Sequence, residues 1–338
     1  MSFKKIASLI LLSAMVLAVL SGCGKQSSSS GESLPEKVII GTQEMPNDEG
    51  IAKAKDYFKE AMGVDVELVV FSSGKDVNNA LLAGSVDFGL IGSCPVALGL
   101  AGNIEYQVIW CHDILGSVES LAVKNGSGIK AATDLVGKKV ATPFASTAHY
   151  SLLKALQDAG VNEADVELLD MQPAEIYAAW TRGDIDAAYV WEPTLSTLLD
   201  DGAIILTSAD MAEAGSPTTN LEVVRTEFAE KYPDLVVKYI QALEKAVQLY
   251  KNDNDEAVAT IAKALNVTEE DARGQMEGSI WMSCEEQLSD EYFGGGLVDS
   301  LLDTAEFLKE QGSITSVPDR SVFEAAVNSE YIQSAISK

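Results

Sequence analysis

KVIIGTQEMPNDEGIAKAKDYFKEAMGVDVELVVFSSGKDVNNALLAGSVDFGLIG, residues 37–92, decides the fold. KVIIGT (37–42) is a short apolar run bounded by turn residues, the pattern of a strand buried on both faces. Ile51, Ala54, Phe58 and Met62 then recur near helical spacing and predict a helix over about 49–62. VDVELVVF (64–71) reads as the next strand, VNNALLAG (77–84) as a short helix ended by Gly84, and VDFGLIG (86–92) as a third buried strand. Buried strands alternating with helices predict doubly wound α/β architecture.

The alternation continues toward the C-terminus. QVIWCHD (107–113), SLAVKN (120–125), KKVATPF (138–144), VELLD (166–170) and IDAAYVW (185–191) read as strands, with helices over HYSLLKALQDAG (149–160) and EIYAAWTRG (175–183). From about Glu227 the texture turns helical and no later strand is expected, so this part forms a helical cap on the sheets. At 338 residues the chain is long for one core and suits two lobes. ESLAVKNG (119–126) and LEVVRTEF (221–228) are matching apolar strands that end in a basic residue. They read as a pair of antiparallel crossovers forming a hinge. The expected lobes are 36–120 with 224–338, and the continuous 121–223.

Toward the N-terminus, residues 1–23 read MSFKKIASLILLSAMVLAVLSGC. Lys4 and Lys5 precede an apolar run from Ile6 to Leu20, short for a membrane span and typical of a secretory signal. Leu20-Ser21-Gly22-Cys23 resembles a bacterial lipobox. That resemblance implies removal of residues 1–22, lipidation of Cys23 and a flexible tether over 23–35, carried by GKQSSSSGES. The expected location is the extracytoplasmic face of the cell membrane.

The formal charge is −27, and loss of Lys4 and Lys5 makes it more negative still. Such a surface repels phosphate backbones, which argues against nucleic acid as a partner. Beyond Cys23, Cys94, Cys111 and Cys284 form no disulfide framework, and His112 and His149 lack metal-ligand spacing. No metal and no cofactor are expected.

Ligands of open α/β sheets bind beyond the carboxyl ends of the strands. Gly92-Ser93-Cys94-Pro95 and Phe144-Ala145-Ser146-Thr147-Ala148-His149-Tyr150 both join a strand to a helix and carry hydroxyls. Helix N-termini bind anions without a formal positive charge, which matters in so acidic a chain. The same hydroxyls could instead cap the helices. Tyr189-Val190-Trp191-Glu192-Pro193 supplies an aromatic wall and a carboxylate, and Gln43 to Asp48 supplies further carboxylates. Tyr106 and Trp110 read as core. No nucleophile elbow, phosphate loop or converging carboxylate pair is present, which favours a binder over an enzyme.

Four segments carry a closer resemblance: GSVDFGLIGSCPVALGLA (84–101), VGKKVATPFASTAHYSLLKAL (136–156), EIYAAWTRGDIDAAYVWEP (175–193) and DTAEFLKEQG (303–312). From about Val38 to Val317 the chain resembles the taurine-binding proteins of bacterial ABC importers, with aliphatic-sulfonate, nitrate and thiamine-precursor binders as broader relatives. The resemblance implies a type II periplasmic-binding-protein fold and a monomer that delivers a small sulfonate, taurine first, to a membrane permease. It implies that Ser93, Ser146, Thr147, His149, Tyr150 and Trp191 line or flank the pocket, with Cys94 beside Ser93.

The chain also departs from that pattern. An Asp is expected at Asn220 to hold the ammonium group, a small residue is expected at Glu192, and the loop from Glu44 to Asp48 differs. Glu192 and then Glu44 are the candidates to replace the lost carboxylate. Another small alkanesulfonate or related anion stays open as ligand, as does a ligand-sensing lipoprotein without a transport role.

Overall fold

The computed structural model describes residues 33–337. The signal segment 1–22, Cys23 and the tether up to residue 32 lie outside the described residues. The strands are β1 (Lys37–Thr42), β2 (Asp65–Val70), β3 (Phe88–Gly92), β4 (Tyr106–Leu115), β5 (Glu119–Lys124), β6 (Lys139–Thr142), β7 (Glu167–Asp170), β8 (Ala187–Trp191), β9 (Gly202–Thr207), β10 (Thr219–Arg225) and β11 (Ser279–Ile280). They form a six-stranded sheet in the order β11-β4-β10-β3-β1-β2 and a five-stranded sheet in the order β7-β6-β8-β5-β9. The fold is α/β and two-lobed, one sheet per lobe.

Both sheets follow one plan. In the first, β1 pairs in parallel with β2 and β3, and β10 returns antiparallel between β3 and β4. In the second, β6 pairs in parallel with β7 and β8, and β5 returns antiparallel between β8 and β9. The central strands β3 and β8 are buried at every position, as their unbroken apolar sequences require.

The helical C-terminal part covers the first sheet. The helix Pro233–Asn252 buries one face, including Leu235, Val236, Tyr239, Ile240 and Leu243. The Tyr239 ring stacks on both Phe58 and Phe88, at centroid distances of 4.6 and 4.3 Å. Contacts of this kind contribute beyond the apolar area they bury.

Three expectations change. The helix over 49–62 is two helices, Asp48–Ala54 and Tyr57–Met62, because Asp56 takes the left-handed conformation (φ 56°) that a short polar side chain tolerates. The half-exposed strand β9 and the two-residue β11 add to the strands read from sequence. Finally, 119–126 and 221–228 do not pair with each other: β5 belongs to the second sheet and β10 to the first. The antiparallel pairing at the passage between sheets is instead made by β4 and β10. Thr219 lies opposite Ile114, and Leu115 N donates to Thr218 O at 2.9 Å. Alternation identifies a strand but not its partner, which is a non-local choice.

Candidate ligand-binding site

Two strand-to-helix junctions meet between the sheets. β3 ends at Gly92 and the helix Ser93–Ala101 begins at once; after β6, the helix Thr147–Asp158 begins behind its N-cap Ser146. A Cβ on Gly92 would stand 2.6 Å from Thr147 Cγ2, so the two helix starts approach as closely as they do only because residue 92 has no side chain.

The hydroxyls at these junctions have defined partners. Ser146 Oγ accepts from His149 N at 3.1 Å and donates to Pro143 O at 2.6 Å, which is the capping role. Ser93 Oγ accepts from Thr219 N at 3.4 Å. Thr147 Oγ1 donates to Glu119 Oε2 at 2.5 Å, and Ser208 Oγ donates to Glu119 Oε1 at 2.9 Å. Burial pushes the Glu119 carboxyl up to about 7 against these two hydrogen bonds.

A small cavity of about 10 Å³ lies beside Glu119. Its apolar walls include Met45, Pro46 and Trp191, and its polar lining is Asp113, Glu119, Glu192 and Asn220. Asn220 Nδ2 donates to Asp113 Oδ1 at 2.9 Å, and burial pushes the Asp113 carboxyl up to about 6. Glu192 accepts from Ser196 N at 3.0 Å and Ser196 Oγ at 2.8 Å, and burial raises it too. Among the described residues, no Lys or Arg lines this cavity. Three buried carboxyls thus face one space that offers no cationic side chain.

Asp113 stands on β4 next to His112, and because β4 carries an extra residue here, with Asn220 opposite Asp113 and Leu221 opposite Cys111, both side chains lie on one side of the sheet, Asp113 reaching Asn220 and His112 reaching Glu222. His112 Nδ1 lies 2.6 Å from Asp48 Oδ1 and Nε2 lies 3.0 Å from Glu222 Oε2, with all three side chains fully buried. Trp110 Nε1 donates to Asp48 Oδ2 at 2.7 Å. Burial pushes the imidazole down, but the two carboxylates outweigh it and hold the group well above its ordinary value. The network ties the helix Asp48–Ala54, β4 and β10 together, and each of these carries or adjoins a cavity residue.

The remaining candidates lie elsewhere. Cys94 is fully buried in the core and its thiol is pushed up by burial. Tyr150 is core, its ring edge-on to Phe307 at 5.1 Å. His149 stacks on Phe144 at 4.3 Å, and burial lowers it to about 4, so the ring is neutral. Glu44 is exposed and lines an outer groove with Lys53 and Leu265, not the cavity. That removes it as a candidate for an amine in the cleft: the loop turns so that residue 44 faces out and residue 45 faces in. Trp191, Glu192 and Asn220 do line the cavity. Asp113, Glu119 and Ser208 were missed. For Asp113 and Glu119 a signal existed, a charged residue inside an otherwise apolar strand, which is rare without a partner or a task. Cys94, Cys111 and Cys284 are unpaired.

Comparison with known proteins bears on this cleft. The family model described as NMT1/THI5 like matches residues 50–257. The taurine-binding periplasmic protein of Escherichia coli (strain K12) is 35% identical over 289 residues, covering 84% of this chain and 88% of the relative. This chain belongs to the taurine and aliphatic-sulfonate substrate-binding protein family of ABC importers. The fold agrees with that membership. The alkanesulfonate-binding protein from Xanthomonas axonopodis pv. citri, solved bound to MOPS, superposes with a TM-score of 0.74 at 20% identity, covering 88% of this chain and 99% of that one. The periplasmic aliphatic sulphonate binding protein from Escherichia coli gives 0.70 at 21%, covering 86% and 92%. The family binds and hands over solutes outside the cytoplasm and does not catalyse reactions.

Proposed function

We propose that the protein captures taurine, or a close aminosulfonate, between its lobes and delivers it to an ABC permease. The observation that carries this reading is the cavity lining: Asp113, Glu119 and Glu192 with no basic side chain among them. A ligand with only negative charge would be repelled there, and a zwitterion would be held by its ammonium end. The sulfonate end has the starts of the helices Ser93–Ala101 and Thr147–Asp158 beside it, where free N–H groups and aligned dipoles favour an anion. Asp113 takes the ammonium, with Asn220 fixing the carboxylate.

The taurine-binding relative at 35% identity supports the same ligand class. In this reading the lobes, expected from the sequence as 36–120 with 224–338 and 121–223, have their bounds moved so that all of β10 (Thr219–Arg225) lies in the first and all of β5 (Glu119–Lys124) in the second, and they rotate about the β4–β10 passage. The protein works as a monomer tethered through lipid on Cys23.

Calorimetry of the folded domain tests the ligand. Taurine is expected to bind at least tenfold more tightly than ethanesulfonate, sulfate or nitrate. Equal binding of taurine and ethanesulfonate removes the amine from the reading and leaves a plain alkanesulfonate binder.

A further inference from the structure

Met45 borders two separate spaces. On one side it lines the inner cavity with Trp191 and Asn220; on the other it lines the outer groove with Lys53, Ile261, Ala264 and Leu265. The side chain is 8% exposed, and its sulfur lies 3.5 Å from Asn220 Nδ2. Met45 therefore stands between cavity and groove.

The loop around it is fixed by hydrogen bonds, while the side chain is held only by packing, in a buried apolar cluster that includes Leu90 and Trp191, and by the contact with Asn220. Gln43 Nε2 donates to Leu90 O at 3.0 Å, and Asn47 Oδ1 accepts from Gly50 N at 3.2 Å. A Cβ on Gly50 would stand 2.7 Å from Met45 O, so the backbone is packed tightly against the following helix. Methionine itself is unbranched and turns about three bonds. Its contact with Asn220 is a weak N–H···S bond, and Asn220 keeps the stronger bond to Asp113 when the sulfur leaves.

The groove beyond is largely apolar. Ile261, Ala264 and Leu265 form one wall, and the Lys53 ammonium is turned away to Thr42 Oγ1 at 2.9 Å and Gln43 O at 3.1 Å. Met45 also stands next to the Asp113–Asn220 pair. A substituent on a nitrogen held by that pair would point at Met45.

We infer that Met45 is a specificity gate: when its side chain turns, cavity and groove join, and the joined space takes an aminoethanesulfonate whose nitrogen carries an apolar substituent. The inference rests on the aminosulfonate reading above and extends it to N-substituted ligands. Met45 selects ligand length, and the outer groove holds the substituent.

The experiment is calorimetry in phosphate buffer with two probes, taurine and N-cyclohexyl-2-aminoethanesulfonate. M45A is expected to raise affinity for the N-cyclohexyl compound at least tenfold relative to taurine. A264W, a replacement at an exposed groove position, is expected to cancel that gain in the M45A background. M45V leaves a shorter apolar side chain on the loop and gives the same shift, smaller, should M45A not fold. An unchanged ratio of the two affinities in M45A or M45V, or a gain that survives A264W, overturns the gate while leaving the aminosulfonate reading intact. Failure of the wild-type protein to bind either probe overturns that reading and the gate with it.

Discussion

Asn220 on β10 and Asp113 on β4 face each other in register across neighbouring antiparallel strands, and the amide nitrogen donates to the carboxylate at 2.9 Å. A carboxylate and an amide at such a pair can exchange places with little change in the position of the negative charge. On the aminosulfonate reading, Asp113 stands in for the Asp that the family resemblance leads one to expect at 220. D113N is expected to weaken taurine binding by ten- to a hundredfold, the effect of one charged hydrogen bond worth about 1.5–3 kcal/mol. Ethanesulfonate should lose far less. The exchanged double variant D113N/N220D should recover most of the taurine affinity. Calorimetry on the three proteins checks this, and no recovery in the double variant would show that the charge must sit on β4.

The same carboxyls set a pH dependence. Burial raises Asp113 to about 6 and Glu119 to about 7, so both take up protons in mildly acidic solution. Holding an ammonium needs them ionised. Taurine affinity is therefore expected to rise between pH 5 and pH 8, while ethanesulfonate affinity stays flat or falls. Stability without ligand moves the other way. Both folded values lie above the unfolded carboxyl values, so these groups favour the folded state most below about pH 4 and lose that contribution as pH rises through 6 to 7. Thermal unfolding and calorimetry across that range should show the two opposite slopes, and D113N should flatten both.

His112 gives a separate prediction about stability. Its two ring nitrogens face Asp48 and Glu222, all fully buried. H112A leaves two buried carboxylates without their cation, a change that costs about 3–5 kcal/mol in comparable buried pairs. The contribution is fully present below the ordinary imidazole value, near 6.5, and is lost only as pH climbs through the raised folded value. Denaturant unfolding of wild type and H112A at pH 6 should show the full gap, and a gap under 1 kcal/mol would mean that His112 carries no charge in the folded protein.

Much of this architecture was legible in the sequence. Strands such as FGLIG and AAYVW are buried on both faces, so their apolar runs are unbroken and need no partner to be recognised. Trp191, Glu192 and Asn220 were legible because strand ends beside a cleft are few. Other features depend on contacts far apart in the chain. Asp113 reaches the cavity and His112 the buried carboxylates beside it through a bulge in β4, and the Asp113–Asn220 pair depends on the β4–β10 register. Glu44 and Met45 part company through a turn of the loop that no periodicity encodes. Ser146 and Thr147 look alike in sequence, yet one caps a helix and the other bonds Glu119.

The approach of Gly92 to Thr147 yields the sharpest test of closure. Gly92 has ordinary extended backbone (φ −74°, ψ 163°), so alanine fits the local conformation without strain. Its Cβ would stand 2.6 Å from Thr147 Cγ2, a contact between the two helix starts on opposite sides of the cleft. G92A should therefore fold with a melting temperature near that of wild type but be held slightly open. Water then stays at the helix starts, and the N–H groups lose strength against an anion. Affinity is expected to fall at least tenfold for taurine and ethanesulfonate alike, unlike the D113N pattern. T147S removes the colliding methyl and keeps the hydroxyl that Glu119 accepts from. Adding T147S to G92A should restore binding in calorimetry and the compact profile in small-angle scattering with ligand. Wild-type affinity in G92A alone would mean that the ligand is held without the helix starts meeting as closely as they do here.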